Sequence, residues 1–367
     1  MIAIAPKARR ISVKKANIRG LLAFGANNLF PQDLINMCSD SVTATACLLA
    51  RAQFIQGNGF FDSDIAKMVV HRSGMTMDTV LNRQAHTVSW GEVIALLVGY
   101  NGLGQINSIK PIQHDFIRLC EPNELGEITH AAICPYLVDG YNIRKRNDYI
   151  KVPLFNPDPA IVQSEMAEAG GIDQYYGQLI FDQFWLPGDG YYHQPSYMPA
   201  IQAIESEAQL GTYNWNTIIN GFNISGILSI ISDKQVSNTY DPMLDKTSIE
   251  YQLSESQGAQ NAGRVMVMRF KELAEAQATN FQQISGVELT KRYEYTADWA
   301  KSEITTGMRT PNEIVNIRRQ GGIAPTGDEI IVSSQLMYQT VNPFQRRLKE
   351  IFELILKHWW QPVPLKK

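Results

Sequence analysis

Ser196-Tyr197-Met198-Pro199-Ala200-Ile201 opens a stretch that closes on Trp215-Asn216-Thr217-Ile218-Ile219-Asn220-Gly221-Phe222. Ile201, Ile204, Ala208, Gly211, Trp215, Ile218 and Phe222 recur at alternating spacings of about three and four, the stripe of a long amphipathic helix. Ser196 can cap it and Pro199 is tolerated in a first turn. Roughly 23 residues rising about 1.5 Å each make a rod of about 35 Å. A second rod is predicted from Tyr293 to Met308, with Ala297, Trp299, Ala300, Ile304 and Met308 as its apolar or small positions and Pro311 as its stop. Between the rods lies a polar, strand-like segment, so two helical struts would support a small protruding module, with copies packing strut to strut.

Working outward, residues 1–25 read as an exposed basic arm, with Lys7, Arg9, Arg10, Lys14, Lys15 and Arg19. Phe30-Pro31-Gln32-Asp33 opens a helix with Ile35, Cys38, Val42, Ala46 and Leu49 on its apolar side, ending at Gly57-Asn58-Gly59-Phe60. A further helix is expected around Thr76 to Thr87. The period then drops toward two in Val93 to Tyr100, Ile106 to Ile109 and Phe116 to Cys120, strands separated by Asn-Gly and Pro-Asn turns. Tyr149 to Phe155 and Gln178 to Trp185 read as two more strands, with a short helix at Ile161 to Ala169 between them. The first half is an α+β domain with an antiparallel sheet.

Past the first rod, Ile224 to Ile231 and Arg264 to Phe270 are predicted strands, and a helix is expected near Ser248 to Gly258. Arg309 to Val315 starts a short helix ending at Gly321-Gly322, and Ile323 to Ser334 reads as a loop. The last helix, about Ser334 to Trp360, carries Met337, Val341, Phe344, Leu348, Ile351, Ile355 and Trp359 on one face. Pro343 should kink it.

Composition narrows the function classes. The 367 residues are 44% hydrophobic and 19% charged, as in ordinary folded proteins, and the formal net charge is −3. No global basic excess advertises nonspecific grip on nucleic acid. The four cysteines, Cys38, Cys47, Cys120 and Cys134, lack CxxC spacing and nearby histidine pairs, so buried free thiols in a reducing cytoplasm are expected rather than zinc. No stretch is long enough to be a membrane span. Gly99 to Gly104 spaces its glycines as GxxGxG with strands following, which fits a hairpin turn better than a dinucleotide site. His71, His86, His114, His130, His193 and His358 are dispersed, and each reads as structural or surface.

The order of parts resembles a tailed-bacteriophage portal protein, from about Asn28 to Trp359. Asn28-Leu29-Phe30-Pro31 and Phe54-Ile55-Gln56-Gly57-Asn58-Gly59-Phe60 look like the family's opening, and Trp90-Gly91-Glu92 before a strand looks like its wing sheet. Tyr192-His193-Gln194-Pro195-Ser196 through Gly226-Ile227-Leu228 resembles a lead-in, a stem helix and a strand entering the clip. Glu303-Ile304-Thr305-Thr306-Gly307-Met308-Arg309-Thr310-Pro311-Asn312-Glu313-Ile314 resembles the end of the second stem helix.

The resemblance implies a portal-like α+β fold. Its parts would be an antiparallel-sheet wing domain at 26–195, stem helix 1 at 196–222, an α/β clip at 223–285 and stem helix 2 at 286–310. A short helix and tunnel loop at 311–334 and a kinked C-terminal helix at 335–367, part of the wing or the start of a short crown, would complete it. It further implies a ring of about twelve copies at the capsid vertex of a virion. Duplex DNA would be packaged and ejected through the ring, which would dock the terminase and then the head-tail adaptor beside major capsid and scaffolding proteins. No cofactor, metal, membrane or catalysis is implied.

A conduit should not bind phosphates strongly, so Asp328 and Glu329 in the tunnel loop are candidates for repelling the backbone, with Arg318, Arg319 and Lys301 as sparse cationic rings. Ile201, Ile204, Trp215, Ile218, Trp299 and Ile304 are the candidates for stem packing between copies. The competing readings are a metal-dependent nucleic-acid-processing enzyme built on Asp173, Asp182, Asp189 and Glu205, or another ring or tube component of a virion.

Overall fold

The computed structural model describes residues 20–134, 149–220, 226–231, 265–270, 286–315 and 327–361. The chain divides into two compact units, Met1–Ile204 with Ser302–Lys367, and Glu205–Lys301.

The first unit opens with a segment tied to a sheet instead of an exposed arm. Leu21, Leu22, Ala23 and Phe24 are all buried. Leu22 N donates to Leu119 O and Leu21 bridges Cys120, so the expectation of an arm reaching to Gly25 is corrected over residues 20–25. Residues 1–19, with the basic cluster, lie outside the described residues.

Next come two helices where one was expected, α1 (Phe30–Ser39) and α2 (Val42–Gln56). Ser41 adopts an extended backbone and its side chain accepts from Ala44 N, a cap that interrupts the first helix and restarts the second. The restart rotates the buried face. Val42 is 81% and Leu49 43% exposed, and Thr43, Ala44, Cys47, Leu48, Arg51, Ala52 and Ile55 point inward instead. A short α3 (Ser63–Lys67) follows, then α4 (Met77–Gly91), capped by Thr76 and ended by Glu92 in the left-handed region at φ 50°.

Strand β1 (Val93–Tyr100) lies between β2 (Ile106–Pro111) and β6 (Gln178–Gln183), antiparallel to both. Its alternate residues face two different cores. Ile94, Leu96, Val98 and Tyr100 join α4 and the C-terminal helix on one side, and Val93, Ala95 and Leu97 join the second sheet on the other. That double burial is why the strand reads as an almost unbroken apolar run. The glycines of Gly99 to Gly104 belong to the β1–β2 hairpin, where Asn101 Oδ1 accepts from Leu103 N and Gln105 N.

The second sheet is β3 (Ile117–Leu119), β4 (His130–Ile133) and β5 (Ile150–Pro153), again antiparallel. Helix α5 (Pro159–Glu168) precedes β6. The α+β expectation with antiparallel sheets therefore holds, as two small sheets.

In the second unit, α6 (Ile201–Asn220) continues from the first, followed by β7 (Gly226–Ile231), β8 (Val265–Phe270) and α7 (Gly286–Gly307). β7 and β8 pair in parallel, Gly226 to Val265 through Ile231 to Phe270. Parallel neighbours need a crossover of a dozen residues or more, and the stretch of sequence between the two strands, positions 232–264, is long enough for one. The helix expected near Ser248 to Gly258 lies outside the described residues.

The last helix, α8 (Gly327–Lys357), returns to the first unit. It starts seven residues earlier than expected and consumes part of the expected tunnel loop, and it runs on through Pro343. Met337, Val341, Leu348, Ile351 and Ile355 are buried in the same core as α2, α4 and β1, with Phe344 packed against it. Its described length thus packs into the core of the α+β domain.

Candidate functional site: a buried charge network at the start of the first long helix

Two stretches quoted above for their resemblance, Trp90-Gly91-Glu92 and Tyr192 to Ser196, meet in space. Glu92 leaves α4 in a left-handed turn that aims its side chain inward, where it is 2% exposed. Its Oε2 accepts from Ser196 N at 2.8 Å and faces His193 Nε2 at 3.1 Å, and its Oε1 accepts from Ser196 Oγ at 2.6 Å and from Arg51 Nη2 at 2.5 Å. His193 Nδ1 lies 2.6 Å from Asp189 Oδ2. Arg51 stands on α2, and its guanidinium carbon sits 4.6 Å from the ring centre of Phe344 on α8. Arg51 Nε is buried with no hydrogen-bond partner among the described residues.

The neighbouring residues complete the joint. Tyr197 donates its hydroxyl to Trp90 O and is fully buried. A Cβ on Gly91 would fall 2.7 Å from His114 Nε2, so the position leaves room for that ring. Tyr192 stacks on Phe24 at 4.0 Å, donates to Leu22 O and accepts from Leu119 N, tying the N-terminal segment to the same locus.

The electrostatics follow from the geometry. Burial alone would raise the carboxyl of Glu92, but the hydrogen bond from His193, the charge of Arg51 and the Ser196 bond prevail and hold it down to about 2. Burial would lower His193, and the two flanking carboxylates overcome it and raise the imidazole above its ordinary value. With a carboxylate oxygen at each ring nitrogen, His193 is an imidazolium that donates to both. Arg51 and His193 thus balance Glu92 and Asp189, a neutral cluster of four charges that joins α2, the end of α4 and the segment leading into α6.

Such an arrangement positions backbone, and each carboxylate is paired with a fixed cation. Asp182, another member of the competing nuclease set, pairs with Arg347 on α8 at 2.7 and 3.0 Å. Among the described residues no three His, Cys, Asp or Glu side chains are grouped to hold a metal ion. The cysteines are buried free thiols, with Cys38 pushed up to about 11 by burial, a rise the Tyr197 hydrogen bond tempers. No helix among the described residues is long and apolar enough to cross a membrane.

The residues picked from sequence fare unevenly. Ile201, Ile204 and Ile304 are 5%, 0% and 0% exposed within their own chain, which corrects their assignment to packing between copies. They face inward because the ends of α6 and α7 pack into the first unit. Trp215 and Trp299 remain 63% and 40% exposed. Ile218 lies on α6, with its side chain outside the described set. Asp328 and Glu329 sit exposed in the first turn of α8, not in a loop, because acidic residues suit the positive end of a helix. Lys301 is half-buried on α7, and Arg318 and Arg319 lie outside the described residues.

Sequence reasoning missed the Glu92–His193 joint, reading His193 as one of several scattered histidines. The available signal was a glutamate at a helix end, directly before an apolar strand, where a charged residue needs a partner.

No protein-family model matches the sequence, and no curated protein matches it. Solved structures do. A chain of the virion of the native gene transfer agent particle matches with a TM-score of 0.53 and 14% identity, over 87% of this chain and 79% of its own. A chain in the neck of the native gene transfer agent particle, computed with C12 symmetry, matches with a TM-score of 0.54 and 12% identity over 90% of this chain and 82% of its own. A chain in the neck of the empty particle, computed with C6 symmetry, gives 0.54, 12%, 90% and 81%. This chain shares their fold over most of its length.

Proposed function

We propose that the chain is the subunit of a portal-like ring in a phage-like particle, a conduit for duplex DNA and not a catalyst. The observation that carries the reading is the likeness of fold to a chain of a C12-symmetric particle neck, spanning 90% of this chain. The element order supports it, since two long helices, α6 and α7, flank the β7–β8 unit. In this reading α6 and α7 form the stem, and β7 and β8 belong to a clip that meets the packaging motor and later the head-tail adaptor. Trp215 and Trp299, exposed on the stem helices, face neighbouring copies. The buried cluster around Glu92 holds the segment leading into α6 against the end of α4. Asp328 and Glu329 line the bore as acids that keep phosphates from sticking.

The test is negative-stain electron microscopy of the purified chain beside its mass in solution. Closed rings with a central hole are expected, and a monomer at all concentrations would overturn the reading. In assembled rings, reversing the charges of Asp328 and Glu329 should slow packaging or retention of DNA, and unchanged packaging would remove them from the bore.

A further inference from the structure

A second feature lies elsewhere on the first unit. α4 and β2, with Ile133 of β4, enclose a cavity of about 500 Å³ lined by Arg83, His86, Thr87, Lys110, Pro111, Ile112, Gln113, Phe116 and Ile133. The lining contains three groups able to carry positive charge and no carboxylate. Thr87 donates its hydroxyl to Arg83 O. The side chains of Arg83, His86, Lys110 and Gln113 have no hydrogen-bond or ion-pair partner among the described residues, in contrast to Arg346, Arg347 and Lys349 on α8, which each meet a carboxylate. Unpartnered donors therefore converge on a concave site with an apolar floor at Ile112, Phe116 and Ile133.

The positive charge continues past the rim. Ile109 N donates to Val70 O at 2.8 Å, so His71 and Arg72 follow a residue paired next to Lys110; Arg72 adds a cation there, while burial and the charges of Lys110 and Arg72 hold His71 towards its neutral form. A single small anion would be met by the cavity alone, but the further cation Arg72 outside it fits a second phosphate of a chain, with a sugar against the apolar floor.

We infer that the α4–β2 cavity and the adjoining Arg72 bind the phosphate backbone of nucleic acid, with Arg83 and Lys110 as its principal contacts and no readout of base sequence. The site is local, which reconciles it with a chain whose net charge is −3. It stands on the charge of this cavity and not on the ring reading. Any grip it provides is separate from the bore proposed above.

The experiment is fluorescence anisotropy of labelled duplexes of unrelated sequence with the full chain, across a salt series. The wild type should bind all of them alike. Arg83→Gln with Lys110→Gln should bind about tenfold more weakly at low salt, with the slope of log affinity against log salt shallower by about 2. Arg346→Gln with Lys349→Gln on α8 is the charge-matched control and should change little. No binding by the wild type, unchanged binding by the double variant, or an equal loss in the control would each overturn the inference. So would displacement of the duplex by inorganic phosphate at an equal phosphate concentration, which would mark a small-anion site. Circular dichroism checks that the variants are folded. Microscopy of the same samples separates the two readings, because rings that ignore DNA refute only the cavity and DNA-binding monomers refute only the ring.

Discussion

A Cβ placed on Gly307, near the end of α7, would fall 2.6 Å from the Cβ of Ala200, just before α6. The two chain segments cross so closely that only hydrogen fits. Both residues lie in the first unit, at the root of the two long helices. A glycine inside a helix normally costs about 1 kcal/mol relative to alanine, so its presence here is explained by the crossing and not by helix propensity.

Gly307→Ala should therefore destabilise the chain by about 1–3 kcal/mol, against the gain expected from propensity alone. Adding Ala200→Gly should recover part of the loss. Urea unfolding of the single and double variants measures both, and a Gly307→Ala chain as stable as wild type would disprove the close crossing.

Glu92→Gln should cost about 3–5 kcal/mol, because it strands Arg51 as a buried cation and leaves His193 with Asp189 alone. Glu353→Gln, which loses only the exposed pair with Lys349, should stay within about 0.5 kcal/mol. Equal effects from the two substitutions would argue against a buried network.

The same cluster makes stability depend on pH with a definite sign. Glu92 is held at about 2 against an ordinary 4.5, so its contribution is complete above about pH 4.5 and fades as pH falls through 2. His193 is raised above 6.5, so its contribution is complete below pH 6.5 and is lost as pH rises through its folded value. His114 acts oppositely. Burial and then the Arg118 charge lower it to about 4, so it penalises the fold as pH falls from 6.5 towards 4. His193→Gln should flatten the alkaline limb of the stability profile and leave the His114 limb in place. Thermal melts from pH 4 to 9 give the comparison, and an unaltered alkaline limb would mean that His193 is not the titrating group.

Arg118 is a fully buried cation that donates to Asn28 O and Oδ1, Asp115 O, Ile117 O and, at 3.3 Å, Gln32 Oε1. Lysine cannot reproduce that fork. Arg118→Lys should lower stability by about 2 kcal/mol or more and expose the 20–28 segment first. Limited proteolysis followed by mass spectrometry should show new cleavage near Asn27, and cleavage elsewhere only would count against this anchoring role.

Trp215→Ser with Trp299→Ser removes two exposed aromatics from the long helices and should leave the monomer folded while abolishing rings. Light scattering with circular dichroism reads both properties. Rings that persist would show that these tryptophans do not face neighbours.

Much of this was legible in the chain itself. The strand at Val93 to Tyr100, the hairpin at Asn101, the helix at Ile201 and the two strands between the long helices follow from hydrophobic period and turn residues, which act over a few positions. The errors share a cause. At Ser41 a side-chain cap outweighed a stripe that runs on past it. At Leu21 to Phe24 an apolar run too short to be a helix found a sheet edge about a hundred residues away. At Asp328 the acidic start of α8 resembled a polar loop.

The sequence by itself determined most of the helices and strands and the order in which they come, because those preferences are settled by each residue and its near neighbours. Only the tertiary structure decided that Glu92 meets His193, that β7 and β8 run in parallel, and that α8 belongs to the core of the α+β domain. These contacts join residues far apart in the chain. A charge or an apolar face records that it needs a partner, but which partner meets it depends on how the whole chain closes around it.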